Sequence, residues 1–484
     1  MKKYSLSIGL ILLSSVLLIS GCGNSDENSN SKSTSNQEIF SGKIEKNKTI
    51  KVLENDTAIS KGYFKELINA FNEAYADKGI KAVDANTDQY VDLAKDGPYG
   101  YGPDVLYQAN DVIMKYAEDK HVYPIPVQKI DAYKQISKNA WNAFKIKKDG
   151  NFYYCGVPVN VQTPMLYYRK DLLPTDWKKS WDKDSNDIPD MVENWKDMYE
   201  FSKQRHQQNQ DKFGYMESLD DTYFSSGYLF SYGAFIFGKN NTDPSTVGFA
   251  HGNSYYGAKV IQQLASVMNE ESIDDTIKTS AYSKLGNGTY FATMSTPDVY
   301  STFMDELIKY YVSQGKNTDE AKQLANDNLV MTTVPKLPAS GDLTSQETKL
   351  IDMKTMGGVN GYAISAYTKA PNASLAFVNF ATKYKMIKKR YELLGVVPVR
   401  KDIIKEIKGV SEGVFTQLEH KNIVLMPSNA AVAQIWTPTK TYFSDITKDV
   451  FRPESEKKYK DDESLKKGLE KVDQQISDAI HTLE

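Results

Sequence analysis

The densest run of candidate ligands is Asp182-Lys183-Asp184-Ser185-Asn186-Asp187-Ile188-Pro189-Asp190-Met191-Val192-Glu193. Asp182, Asp184, Asn186, Asp190 and Glu193 set oxygen donors at loop positions 1, 3, 5, 9 and 12, and the Ile188 carbonyl supplies position 7. A twelve-residue turn wraps Ca²⁺ with that spacing, its last Glu bidentate. A glycine normally makes the sharp turn where Asp187 stands. Asp tolerates a left-handed backbone better than most residues, so the loop survives but weakens. The plainer alternative is a solvated acidic turn ahead of a helix. Calcium is the expectation here, as a structural clip and not a catalyst.

Other chemistry has little to work with. No G-x-x-x-x-G-K-[ST] phosphate loop, G-x-S-x-G elbow or H-E-x-x-H occurs. The five histidines, His121, His206, His251, His420 and His481, stand at no metal-ligand spacing. Carboxylates are plentiful, so a glycosidase pair stays open without positive support. Cys22 and Cys155 make no disulfide framework, and burial is the expected fate of Cys155. With 59 Lys+Arg against 62 Asp+Glu, no basic field exists for gripping nucleic acid. The 32 tyrosines are unusual, each a flat apolar face with a polar tip.

The start of the chain speaks to location. Lys2 and Lys3 precede an apolar run from Leu6 to Ile19, too short for a comfortable membrane span and shaped like a signal peptide. Ile19-Ser20-Gly21-Cys22 resembles the bacterial lipobox, which implies lipidation of Cys22, palmitate included. Residues 23–38 contain no apolar side chain and cannot bury enough surface to order themselves. We expect a signal peptide over 1–21, a tether over 22–44, and a body lipid-anchored at the extracellular face of a bacterial cell membrane.

Elements that would position a site alternate in type. Residues 49–53, 104–107, 157–159, 165–168, 291–295, 329–334 and 362–365 read as strands. Helical spacing links Phe64, Leu67, Ile68, Phe71 and Tyr75, and covers 191–205, 254–269, 300–312, 371–387 and 439–450. A last helix carries Leu465, Leu469, Val472, Ile476 and Ile480 on one stripe. Such alternation predicts α/β layers, and the length predicts more than one lobe.

Several stretches together resemble the maltose/maltodextrin-type (family 1) solute-binding proteins of ABC importers. These are Gly102-Pro103-Asp104 running to Asp111, Gly156 to Gln162, and Leu166-Tyr167-Tyr168-Arg169-Lys170-Asp171-Leu172-Leu173-Pro174. Thr222-Tyr223-Phe224, Asn287-Gly288-Thr289 leading to Ser295-Thr296-Pro297, Gly357-Gly358-Val359, and Pro427-Ser428-Asn429 running to Trp436 follow in family order. The resemblance implies a type II periplasmic-binding-protein fold: two α/β lobes, each a sheet flanked by helices, joined by a hinge. Lobe 1 is expected at 45–160 plus 358–405 and lobe 2 at 161–357 plus 406–484.

The implied function is capture of an oligosaccharide between the lobes, maltodextrin favoured, without catalysis or catalytic cofactor. Delivery would be to permease subunits with a separate ATPase, by a receptor acting as a monomer. By position, Asp111 is implied as a hydroxyl acceptor, Gln162 as a hydroxyl partner, and Asp221 as an acidic neighbour. Tyr223, Tyr300 and Trp436 are implied as aromatic contacts. Core packing stays open for the aromatics, and a helix N-cap for Asp111. Gln108 and Asp298 stand where the enteric maltose binder presents Trp, which weakens the case for plain maltose. A surface glycosidase or hydrolase, and a calcium-stabilised adhesin or sensor, are the alternatives.

Overall fold

Apolar strands and amphipathic helices sort into two main sheets in the computed structural model. It describes residues 39–484 apart from 87–91, 149, 271–272, 274–275, 408, 428 and 483–484. The expected signal peptide, Cys22, the tether up to residue 38, and Ser428 lie outside the described residues. In chain order the strands are β1 (Thr49–Leu53), β2 (Lys81–Asp84), β3 (Val105–Ala109), β4 (Lys145–Lys148), β5 (Asn151–Tyr154), β6 (Val157–Gln162), β7 (Met165–Arg169) and β8 (Phe213–Met216). They continue with β9 (Phe235–Phe237), β10 (Asp243–Gly248), β11 (Tyr290–Ser295), β12 (Leu329–Thr332), β13 (Leu337–Pro338), β14 (Leu350–Ile351), β15 (Thr355–Ile364), β16 (Val397–Pro398) and β17 (Ile423–Leu425).

The larger sheet has the order β16-β6-β15-β3-β1-β2, with β17 joined to β15. β1 runs parallel to β2 and β3, while β15 is antiparallel to both β3 and β6. Its central strands are buried along nearly their whole length, as a sheet covered on both faces requires. The smaller sheet is β12-β7-β11-β8. β4–β5, β9–β10 and β13–β14 form separate two-stranded pairs.

The helices follow their apolar spacing. Tyr63–Ala74 buries Tyr63, Phe64, Leu67 and Phe71, and Asp462–His481 buries the five-residue stripe read from the sequence. The span 371–387 is two helices instead of one, Pro371–Ala381 and Tyr384–Leu394. Lys383 between them is extended, and the Thr382 carbonyl leaves the helix ladder to accept from Arg400 at 2.8 Å. Likewise 191–205 divides into Asp190–Glu193 and Trp195–Gln208, because extended Asn194 caps the second helix through Asp197 N–H. β15 is longer than its apolar part. Its glycines are needed: a Cβ at Gly357 would lie 2.6 Å from the Gln162 carbonyl oxygen.

β1, β3 and β6 all point the same way. The C-terminal ends of β3 and β6 lead to Asp111 and Gln162, and Gln162 reaches Asp298 just past β11 of the smaller sheet, so these ends form one wall of a cleft between the sheets.

Candidate functional site

β3 ends at Ala109 and passes into the helix Asn110–Glu118. Asn110 is buried, its Oδ1 accepting from Val359 N–H at 3.0 Å, which fixes the turn against β15. Asp111 follows in the first helical turn. The N-cap position is Ala109 and not Asp111. Burial raises the Asp111 carboxyl above the usual range, opposed by the N–H groups of Asp111 and Val112. Its Oδ1 is buried without a hydrogen-bond partner.

Gln162 closes β6 and reaches across. Its Nε2 donates to Asp298 Oδ1 at 2.6 Å, and its own Oε1 is left buried and unpaired. Asp298 sits in the short 3-10 turn Pro297–Val299 after β11. Asp221 caps the helix Thr222–Ser231, accepting from Tyr223 N–H at 2.7 Å and Phe224 N–H at 3.4 Å. That cap aims Tyr223 at the cleft. The Tyr223 hydroxyl is buried and unpaired, and its pKa is raised by burial and then by the charges of Asp298, Asp111 and Asp221. Asp111, Gln162, Asp221, Tyr223 and Asp298 are thus brought together from both sheets. An adjoining cavity of about 350 Å³ is lined by Tyr223, Phe224, Tyr282, Phe303, Asp221 and Glu217, among others.

The remaining expected residues are placed differently. Trp436 starts the helix Trp436–Asp449, and its carbonyl accepts from the Thr222 hydroxyl at 3.3 Å, tying that helix to the Tyr223 helix. Tyr300 packs 6.3 Å from Tyr167 and lines a second groove of about 590 Å³ with Met304, Tyr391 and Leu394. Gln108 lies in β3 opposite Gly361 of β15. Arg169 and Asp171, from the motif after β7, form a buried support: Arg169 Nη2 meets Asp171 Oδ2 at 2.6 Å, and Nη1 donates to Leu285 O at 3.0 Å. The Cys155 thiol is buried and pushed up to about 12, chiefly by that burial.

Sequence reasoning missed two features. Glu54, one residue past β1, is buried and paired with Arg390: Nη2 donates to Oε1 at 2.9 Å and Nη1 to Oε2 at 3.0 Å. The Tyr362 hydroxyl donates to the same carboxylate at 2.6 Å, and the guanidinium lies 3.9 Å from the Tyr107 ring centroid. This locks β1, β3 and β15 beneath the cleft. The second is an ion pair between the bodies, Lys61 Nζ to Asp305 Oδ2 at 2.8 Å. A Glu directly after an apolar strand was a usable signal for the first; nothing local pointed to the second.

In the acidic loop, Asp187 adopts φ 65 and Ser185 φ 59. Asn186 N–H donates to Asp182 Oδ1 at 3.0 Å, and Asn186 Nδ2 bridges Asp184 Oδ2 at 3.1 Å and Glu193 Oε1 at 3.0 Å. Ile188 N–H donates to Asn186 Oδ1 at 2.7 Å. Asp190 faces back to the start of the loop, its Oδ1 accepting from Lys183 N–H at 3.4 Å and its Oδ2 3.5 Å from Lys183 Nζ. Among the described residues, no group of three or more His, Cys, Asp or Glu is placed to hold a metal ion. No helix among them is long and apolar enough to cross a membrane.

Comparison with known proteins bears on this geometry. Residues 66–414 match the family described as bacterial extracellular solute-binding protein. A galactooligosaccharide-binding protein of Bacillus subtilis (strain 168) is 24% identical over 454 residues, covering 91% of each chain. A maltooligosaccharide ABC transporter solute-binding lipoprotein of Streptococcus pneumoniae (strain ATCC BAA-255 / R6) is 21% identical over 454 residues, covering 92% of each. Among solved structures, the maltose-binding periplasmic protein of Listeria monocytogenes in complex with maltose superposes with a TM-score of 0.66 at 19% identity. That match covers 90% of this chain and 98% of the other.

Proposed function

This chain belongs to the bacterial extracellular solute-binding proteins, and from that premise we propose that its cleft captures an oligosaccharide for an ABC importer, maltodextrin favoured. One observation carries the reading to a sugar. Asp111 Oδ1, Gln162 Oε1 and the Tyr223 hydroxyl are buried without protein partners, and they neighbour one another through Asp298, which Gln162 binds and whose charge, with that of Asp111, acts on Tyr223. Buried polar atoms cost stability unless satisfied, and a rim of sugar hydroxyls supplies both donors and acceptors to them. Tyr223 and Trp436 offer faces for pyranose C–H groups. Gln108, Asp221, Asp298 and Tyr300 complete the proposed contact set. Asp298 in place of a stacking Trp favours hydrogen bonding over stacking, so a galacto-oligosaccharide is the second ligand to test.

The two lobes are proposed at 45–160 plus 358–405 and at 161–357 plus 406–484. Closure of one on the other reports occupancy to the permease subunits, whose ATPase is separate. The receptor acts as a single copy, carries no catalytic role, and is held to the outer face of the membrane by lipid, palmitate included, on Cys22. Calcium at 182–193 is the finer part of the reading. Asp187 in the left-handed backbone that the loop requires supports it; the Lys183–Asp190 pairing counts against a full ligand set. An unchanged melting temperature in chelator would remove the metal.

The deciding experiment is a thermal-shift screen of the protein against malto-, galacto- and other oligosaccharides. Ligand at a hundredfold its Kd adds about 2.7 kcal/mol, a shift of a few degrees. A shift with malto-oligosaccharides supports class and ligand together. A shift with galacto-oligosaccharides alone keeps the receptor and changes the sugar. No shift with any sugar, or hydrolysis of one, overturns the reading.

A further inference from the structure

We propose that the end of the larger sheet remote from the cleft is a docking surface for an anionic lipid bilayer, which holds the body with its cleft facing away from the membrane between its visits to the permease. The inference rests on the lipid-anchor reading above. Strand direction sets the geometry. β1, β3 and β6 each begin at this end, and β3 and β6 finish at the cleft.

The remote end carries the most exposed aromatics. Tyr99 is 77% exposed, Tyr101 73% and Phe152 58%, and among the described large hydrophobic residues no other exceeds half. Tyr99 and Tyr101 stand in the loop feeding β3, and Phe152 stands in the β4–β5 hairpin just ahead of β6. Gly97 of the tyrosine loop abuts Tyr367, just past the end of β15. Rings with one apolar and one wet end favour the membrane interface.

Positive charge lies beside them. Lys147 and Lys148 are exposed on the hairpin, and Lys145 Nζ sits 3.8 Å from the Phe152 ring centroid. Lys46 and Lys48 are exposed where the chain enters β1. Two nearby carboxylates are turned inward: Glu45 accepts from Ala373 N–H at 2.8 Å, and Asp104 from Lys51 N–H at 2.8 Å. Asp92, the cap of Leu93–Asp96, stays exposed beside the tyrosine loop, as do Glu118 and Asp119 at the end of the helix whose Tyr116 hydroxyl accepts from Leu93 N–H; exposed Lys95 and Lys120 offset two of these three acids.

The point where the described chain begins selects the partner. Phe40 is buried against Tyr123, ring centroids 5.9 Å apart. Tyr123 N–H donates to Ile364 O at the remote end of β15, and Ile125 N–H donates to Tyr154 O at the base of the hairpin. The described chain therefore starts at this same margin, and the sixteen residues between it and Cys22, 23–38, can span at most roughly 50 Å at ~3.3 Å each. A lipid on Cys22 would keep the bilayer within that distance of this face. Three hairpin lysines at about fivefold each give on the order of a hundredfold preference for an anionic surface, screened by salt.

The test uses the mature chain from residue 22 with Cys22→Ser, so that only the surface reads out. It is mixed with vesicles of phosphatidylglycerol in phosphatidylcholine, or of phosphatidylcholine alone, and sedimented. The expected result is co-sedimentation with the anionic vesicles only, lost in 0.5 M salt and reduced at least about tenfold by Lys147→Glu with Lys148→Glu. Tyr99→Ser with Tyr101→Ser should weaken it too, with melting temperature unchanged in both variants. No sedimentation, equal binding to both vesicles, or indifference to the lysine reversals overturns the proposal. Binding to purified permease but not to vesicles also overturns it and assigns the face to a protein partner. Sugar thermal shifts on the same samples and mass spectrometry of wild-type Cys22 read the receptor and anchor separately.

Discussion

Removing Lys61 or Asp305 should weaken sugar binding although neither lies among the proposed sugar contacts. Lys61 directly follows the short helix Asp56–Ser60 after β1, and Asp305 lies in the helix Tyr300–Ser313 after β11. Their 2.8 Å contact joins an element beside the larger sheet to one beside the smaller sheet, so a hinge opening that parts the two sheets should break it. The side chains remain 30% and 55% exposed, so most of the Coulomb attraction is screened. Exposed pairs contribute ~0.2–1 kcal/mol, which is about 1.4- to 5-fold in the closing equilibrium. Because closure and binding are linked, sugar affinity should fall by that same factor. Calorimetric titration of Lys61→Ala, Asp305→Ala, the double variant and the swap Lys61→Asp/Asp305→Lys forms a double-mutant cycle. The expectation is near-equal losses in the singles, no further loss in the double, partial recovery in the swap, and a smaller wild-type advantage at 0.5 M salt. Additive losses, or single variants that bind as wild type, would refute the argument that this pair closes the cleft.

Three further outcomes are expected. Tyr223→Phe removes a buried hydroxyl that has no partner, so the melting temperature should hold or rise while sugar affinity falls by about tenfold, near the upper end of a single hydrogen bond; a fall in melting temperature with unchanged affinity would assign Tyr223 to packing. Asp111 has a raised pKa, and sugar hydroxyls favour its charged form, so affinity should decline on acidification at a higher pH than an ordinary carboxylate would cause. Titrations from pH 7 to 4.5 check this, and Asp111→Asn should flatten that profile. Arg390→Met leaves Glu54 charged and buried, which should cost ~3–5 kcal/mol in urea unfolding, with part recovered by adding Glu54→Gln.

Much of the scaffold could be read because its signals are local. β1 was expected at 49–53 and is found there, and the terminal helix buries the stripe its spacing marks. β15 was mostly hidden, since Gly357, Gly358 and Gly361 remove the side chains that announce a strand. The break at Thr382 was hidden too, because its cause is Arg400, eighteen residues away. The site divides along the same line. The candidate contacts Asp111, Gln162 and Asp298 stand in motifs at or just past strand ends, and Tyr223 in a motif at a helix start, so their placement is local. The Glu54–Arg390 pair spans 336 positions and Lys61–Asp305 spans 244, and no periodicity reports such partners.

The place of β15 also governs how the chain reaches its native state. It lies between β3 and β6, whose residues 105–109 and 157–162 are laid down long before Thr355–Ile364. Until it is synthesised, each of those strands presents an unpaired inner edge, a template for association with other chains. Most pairings of the larger sheet are then long-range, which slows productive folding. A chain halted before residue 355 should therefore aggregate.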